Sequence, residues 1–376
     1  MQPGHKVRSC NTRDSSRITQ YHRLKPTIDS RRASRHREYM PARIEDVAAH
    51  AGVSIKTVSR VLNGRPNVRA NLRARIEASI EALSYVPNAS ARGLAGNRSY
   101  LIALLYDNPT AGSAYIMELI VGVLQACRET PYTAELYPLD DSDKVATAID
   151  GLLARNRPDG LILVPPHANN VNLLQRLHDR GVRYSTISSK ARDTRSDVGF
   201  DERKAATEMV QHLIALGHRR IAHITGLKGH GARAWRLGGY RDALRKAGIG
   251  YDETLVVEGD FMFESGVEGA RKLLGLRRPP TAIFAANDDM AFGVMREAHA
   301  RRIDVPGTLS ICGFDDSPAS QLVSPGLSTV HQPCREMGRM AAEHVLLSME
   351  DVTFKRHTTI PFQIAVRDST AAPEKA

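Results

Sequence analysis

The chain has 376 residues, long enough for two or three cores, with 42% hydrophobic and 25% charged residues and a mean hydropathy of −0.32, the balance of a globular protein. No apolar run approaches the roughly 20 residues of a membrane helix, and Cys10, Cys127, Cys312 and Cys334 form no C-x-x-C pair, which argues against a disulfide scaffold or zinc ribbon and for a reducing compartment. The net charge of +11 is concentrated in the first quarter: residues 1–40 hold ten Lys/Arg against three Asp/Glu, residues 41–99 nine against four, and the remainder is one charge negative.

A basic N-terminal part ahead of a near-neutral body suits a polyanion partner, because neutralised phosphates release counterions. A solvated basic tail is the alternative. Residues 1–40 are rich in Arg, Ser and His without apolar periodicity and are expected to be disordered; they lack the apolar core of a secretory signal. The abrupt start of a folded pattern suggests Met40 as initiator, which would lower the net charge to about +4.

Ile44, Val47, Ala48 and Ala51 recur at i, i+3, i+4 and i+7, the stripe of a short helix, and Gly52 ends it. Ser54 is placed to cap a second helix over 55–63 that turns Val58, Val61 and Leu62 inward and Ile55, Lys56, Ser59 and Arg60 outward. A third helix over 71–83 is expected to bury Leu72, Ile76, Ile80 and Leu83. Three short helices with a tight Gly turn between the first two are the plan of a helix-turn-helix, whose second helix enters the major groove; a generic three-helix bundle shares the pattern.

The string IEDVAAHAGVSIKTVSRVLNG from Ile44, Val68, and IEALSYVPNASARGL ending at Leu94 resemble the head and hinge of the lactose repressor and galactose repressor family of bacterial transcription factors. The resemblance implies that Ile55 and Lys56 occupy the two variable base-reading positions, with Arg60 also facing the groove. An arginine there can pair with guanine O6 and N7. Ser54, Thr57, Ser59 and Asn63 would contact phosphate or sugar, which sets register without reading sequence. It also implies a hinge, residues 87–99, in which Asn88, Ala91 and Arg92 flank Leu94, the wedge that opens the minor groove at the centre of the site. Such a short polar segment is not stably helical alone. Arg69 stands where the family usually has a capping Ser, and Asn67 is the substitute cap.

From Tyr100 short apolar strands expected at 101–106, 160–164, 184–188, 221–225, 281–285 and 309–314 alternate with amphipathic helices at 115–128, 205–216, 236–247, 264–274, 289–301 and 334–347. Regular alternation implies βαβ units and parallel sheets. The resemblance implies an α/β periplasmic-binding-protein-like core, residues 100–368, of two doubly wound lobes joined by three crossovers near Gly199, Thr329 and Thr353, behind the all-α head at 41–86. Residues 369–376 are expected as a flexible tail.

Ligands of doubly wound sheets bind beyond the carboxyl ends of strands. Asp107, Ser188, Asn287 and Asp315 follow expected strands. By resemblance, Arg236 in RLGGY works with the carboxylate at Asp315 to hold ligand hydroxyls or a carboxylate, and Phe261 in EGDF is an aromatic wall. Asp315 capping a turn and Asn287 capping the next helix are the structural alternatives. Ser188 replaces an aspartate that reaches sugar hydroxyls in the lactose-responsive member, so the same sugar does not carry over.

Gly226, Gly229 and Gly231 match no phosphate-loop spacing. His212, His218 and His223 lack metal-ligand spacing, and no catalytic constellation is found, so neither an enzyme nor a cofactor or metal is expected. The expected function is a cytoplasmic, homodimeric regulator, acting as a repressor, that binds a pseudo-palindromic double-stranded DNA operator under control of a sugar-like effector; no membrane partner is expected. By resemblance a dimer is preferred, since residues 371–376 cannot form the C-terminal heptad helix through which the lactose-responsive member makes tetramers, and two heads read two half-sites. A sugar-binding transport receptor and a nucleotide-using enzyme of doubly wound fold are the competing readings.

Overall fold

The computed structural model describes residues 42–62, 68–85, 98–107, 113–139, 145–155, 158–190, 195–351 and 353–374. The chain divides into two units, Met1–Pro87 and Asn88–Ala376.

In the first unit, α1 (Ile44–Ala51), α2 (Ile55–Leu62) and α3 (Ala70–Ala82) enclose a small core of Val47, Ala48, Ala51, Val58, Val61 and Ile76, joined by Tyr85. The backbone N–H of Arg43 donates to Asp46 Oδ2 at 2.7 Å and satisfies one donor at the start of α1. Gly52, at φ +61°, makes the left-handed turn that a Cβ would oppose, and it releases the chain into α2. Of the four apolar residues expected inward on α3, Ile76 is fully buried while Leu72, Ile80 and Leu83 are half-buried against the core. The other inward position is filled by Ser79, whose Oγ meets His50 Nδ1 at 3.0 Å. The N-cap of α3 is Arg69, which makes no side-chain cap bond; Asn67 lies outside the described residues.

The second unit opens with β1 (Leu101–Asp107), α4 (Ala114–Cys127), β2 (Thr133–Leu139), α5 (Val145–Arg155), β3 (Gly160–Leu163), α6 (Val171–Asp179), β4 (Arg183–Ile187) and β5 (Ser196–Gly199). It continues with α7 (Glu202–Ala215), β6 (Ile221–Thr225), α8 (Gly231–Lys246), β7 (Val256–Glu258), α9 (Phe263–Leu274), β8 (Ala282–Ala285), α10 (Asp288–Ala300) and β9 (Ser310–Cys312). It closes with α11 (Ala319–Leu322), β10 (Thr329–His331), α12 (Cys334–Glu350), β11 (Arg356–Thr359) and β12 (Gln363–Ala365).

Two parallel sheets result, one in the order β11-β5-β4-β3-β1-β2 and one in the order β7-β6-β8-β9. Strand β1 is buried on both faces, as a central parallel strand must be: Ile102 and Leu104 join one core, Ala103 and Leu105 the other. In the second sheet Ile221 and Phe284 face one way while Ile224 and Ile283 face the other. Each fully buried aliphatic side chain contributes about 1.5–3 kcal/mol. Helices α4 and α12 touch backbone to backbone at two glycines: a Cβ on Gly338 would stand 2.2 Å from Leu119 O, and one on Gly122 would stand 1.9 Å from Arg335 O.

The chain passes between lobes after β5, after β10 and again before β12, with β10 and β12 paired antiparallel at the junction. The third passage lies beyond Thr359, not near Thr353, because the polar strand β11 first adds to β5 in parallel register. The expected tail is corrected as well. Ser369 is fully buried: its Oγ donates to Ile311 O at 2.6 Å and accepts from Ser328 N at 2.8 Å, while Ile311 N donates to Ser369 O at 2.9 Å. Ala371 O accepts from His218 Nε2 at 2.9 Å. The tail is tied down because β9 is an edge strand with open backbone groups, which residues 369–371 satisfy.

Candidate functional site

The outer face of α2 follows from its amphipathic sequence. Val58 and Val61 are spent on the core, which leaves Lys56 and Arg60 exposed and Ile55 46% exposed. An isoleucine that the core does not use, next to two cations, suits apolar contact with a base methyl beside phosphates and base edges. Ser54 starts the helix: its carbonyl accepts from Thr57 N at 2.8 Å, and its Oγ meets Thr57 Oγ1 at 2.8 Å. Ser59 is half-buried on the same helix. Asn63, Asn88, Ala91, Arg92 and Leu94 lie outside the described residues.

Within the second unit a cavity of about 330 Å³ brings together four of the six expected ligand residues, Arg236, Phe261, Asn287 and Asp315. Arg236 projects from α8 and is 4% exposed. Its Nε and Nη2 both lie 2.9 Å from Glu202 Oε2 at the start of α7, and its Nη1 donates to Ala286 O. The guanidinium lies 3.8 Å from the Phe314 ring centroid, and Nη1 is 3.9 Å from Asp315 Oδ1. A charge this deep is tolerable only with such pairing.

Asp315 follows β9 at φ +142° and accepts from Gln332 Nε2. Burial pushes its carboxyl well above the usual range, and Asp288 and Asp289 push the same way against the opposing pull of Arg236. Behind it, Asp288 accepts from Ser317 N at 2.8 Å and Thr329 Oγ1 at 2.6 Å, and burial raises it to about 6. Phe261 sits at φ +71°, its ring edge-on to His230 at 5.0 Å and pressed over Gly226, where any Cβ would stand 1.9 Å from the ring. Positive φ at Phe261 and Asp315 costs about 1–3 kcal/mol each, strain of the kind that persists where surrounding structure holds it.

Asn287 lines the cavity and also makes the helix cap named as its structural alternative. Its Oδ1 caps α10 by accepting from Met290 N at 3.1 Å, and its Nδ2 donates to Phe261 O at 2.9 Å, so it holds the aromatic wall in place. Asp107 and Ser188 are not among the residues lining the cavity. Ser188 turns back at φ +48°, donating its N–H to Val198 O at 3.0 Å with its Oγ against Gly199. Asp107 is half-buried at the end of β1, where burial raises its carboxyl.

Glu202, His230, Asp289 and Gln332 line the cavity and were not anticipated. His230 starts α8, its Nδ1 accepting from Ala232 N at 3.4 Å, and burial lowers it to about 4, so it is neutral at pH 7. Glu202 looks in the sequence like an ordinary acid in a first helical turn, and nothing local signals a partner 34 residues away.

Residues 43–88 match the family model for bacterial regulatory proteins of the lacI family, and residues 210–370 match the periplasmic binding protein-like domain. Catabolite control protein A of Priestia megaterium is 33% identical over 334 residues, 88% of this chain and 100% of that protein. The solved complex of the transcriptional regulator CelR with cellobiose is 32% identical, with a TM-score of 0.67 over 87% of this chain and 99% of that one. The lac repressor dimer bound to operator and the anti-inducer ONPF is 28% identical, with a TM-score of 0.77 over 89% of this chain and 100% of that one. With a helix-turn-helix head, two parallel-sheet lobes and a cavity at their strand ends, this chain belongs to the lacI family of bacterial regulatory proteins, transcriptional repressors that bind DNA under effector control.

Proposed function

We propose that this protein represses transcription as a cytoplasmic homodimer on a pseudo-palindromic operator, and that a sugar-class molecule bound between its lobes sets operator affinity. The observation that carries this reading is the convergence of Arg236, Asp315 and the Phe261 ring on one cavity of about 330 Å³, a planar cation, a carboxyl and an apolar face. The volume is near the lower end of small-molecule sites. Cellobiose in the CelR relative and operator in the lac repressor relative support the two halves of the proposal.

On DNA, Ile55, Lys56 and Arg60 read base edges, while Ser54, Thr57, Ser59 and Asn63 set register on the backbone. Asn88, Ala91, Arg92 and Leu94 form the hinge, with Leu94 as the minor-groove wedge. Exposed Met117 and Leu124 on α4 and Leu322 on α11, at 51%, 50% and 84%, offer apolar surface for self-association. A ligand alters occupancy of the operator only by binding the DNA-competent and DNA-incompetent states with different affinity.

Selection of bound sites from random duplex DNA tests the proposal. Two inverted half-sites are expected, and selected DNA without an enriched sequence refutes it. Substituting Lys56 should change preference at one position per half-site, and Leu94→Ala should weaken specific binding while leaving salt-sensitive nonspecific binding nearly intact.

A further inference from the structure

We propose that the cleft takes an uncharged polyhydroxy ligand and rejects sugar acids and sugar phosphates, with Glu202 as the residue that imposes the exclusion. This rests on the reading of the cleft as the effector site and narrows it to one charge class.

Carboxylates and phosphates are held by paired, parallel N–H donors, most often from arginine. Among the described residues lining the cavity, Arg236 is the only lysine or arginine. Its Nε and Nη2 are both turned onto Glu202 Oε2 at 2.9 Å, and its Nη1 is engaged by Ala286 O with Asp315 Oδ1 3.9 Å away. The Nε–Nη2 edge, the side-on fork of the guanidinium, is thus closed to an anion, and its charge is already matched by a carboxylate that is 5% exposed.

The remaining groups deepen the bias. Asp289 and Asp315 also line the cavity and add carboxyl oxygens but no cation. His230, held near pKa 4 by burial and by the charges of Arg236 and Lys190, adds no cation at neutral pH. Lys190 itself lies outside the cavity lining, 5.7 Å over the Trp235 ring. The start of α10, which otherwise favours anions, is capped by Asn287 and carries Asp288 and Asp289 in its first turn. Hydroxyl groups fit this lining, since each both donates to a carboxyl and accepts from a remaining N–H, and the apolar face of a sugar ring suits Phe261.

Isothermal titration of the full-length protein with matched probes tests the inference: glucose, glucuronate and glucose 6-phosphate; galactose and galacturonate; cellobiose and cellobionate. The expected result is that a neutral member binds and its acid or phosphate binds at least tenfold more weakly. Glu202→Gln is expected to narrow that gap by removing the carboxylate charge that offsets Arg236, and Glu202→Asp to preserve it; an unchanged gap in folded Glu202→Gln overturns the assignment of Glu202. Should Glu202→Gln fail to fold, the comparison within the unsubstituted protein still decides the charge inference, and loss of the gap in Glu202→Asp, which keeps the charge, would overturn the assignment of Glu202. An acid or phosphate that binds as tightly as its neutral parent overturns the charge inference alone. Binding by no member, charged or neutral, counts instead against the sugar-class reading of the cleft.

Discussion

Replacing Arg236 by methionine leaves the Glu202 carboxylate buried at 5% exposure without its cation and strands Ala286 O. Breaking one side of a buried pair costs about 3–5 kcal/mol, because the remaining charge keeps its desolvation penalty. For a unit of this size that corresponds to a Tm lower by roughly 10 °C, at about 2–4 °C per kcal/mol. Adding Glu202→Gln to Arg236→Met removes the orphaned charge and should restore about 2–3 kcal/mol, since neutral replacement of both partners of a buried pair is often nearly neutral. Urea denaturation followed by Trp235 fluorescence reads this cleanly, because the chain has one tryptophan and it precedes Arg236 in the same helix. A loss below about 1 kcal/mol for Arg236→Met, or no recovery in the double variant, would refute the assignment of Glu202 as its energetic partner.

His223 is fully buried between Phe284 and Tyr240, at ring distances of 4.7 and 5.3 Å, and burial lowers it to about 4. Because the folded pKa lies below the unfolded value, its contribution is complete above about pH 6.5 and is lost as pH falls toward 4, by up to about 3 kcal/mol; His223→Phe should flatten urea stability between pH 6.5 and 4.5. Gly338→Ala forces a methyl to 2.2 Å from Leu119 O and should cost at least about 1–3 kcal/mol in the lobe built on α4 and α12, measured by calorimetry; an unchanged transition would show that these helices separate freely. Truncation after Asp368 removes the bonds of Ser369 and Ala371 to Ile311, Ser328 and His218 and should lower the stability of the second unit by several kcal/mol, with each unsatisfied buried group costing about 1–3; retained stability would restore the flexible-tail expectation.

The local order of the chain was legible wherever one residue's burial follows from its spacing. Ile44, Val47, Ala48 and Ala51 define α1 before any partner is known, Gly52 ends it for a reason internal to its own backbone, and the outward set on α2 is what Val58 and Val61 leave behind. Central strands such as β1, β3 and β6 are equally plain, since burial on both faces writes a continuous apolar run. Edge strands are not: β2 and β11 carry Thr, Glu, Arg and His because only one side is covered, and they read as connection. Short elements such as β5 and β7 offer too few residues for any period to show. What the tertiary structure alone decided is who meets whom. Glu202 takes Nε and Nη2 of Arg236, Asn287 braces the backbone of Phe261, Ser188 is folded back on Gly199, and Ser369 closes the edge of β9. Spacing along a chain reports which face of an element is buried, whereas pairing of polar groups across a cleft depends on which distant element the fold brings alongside.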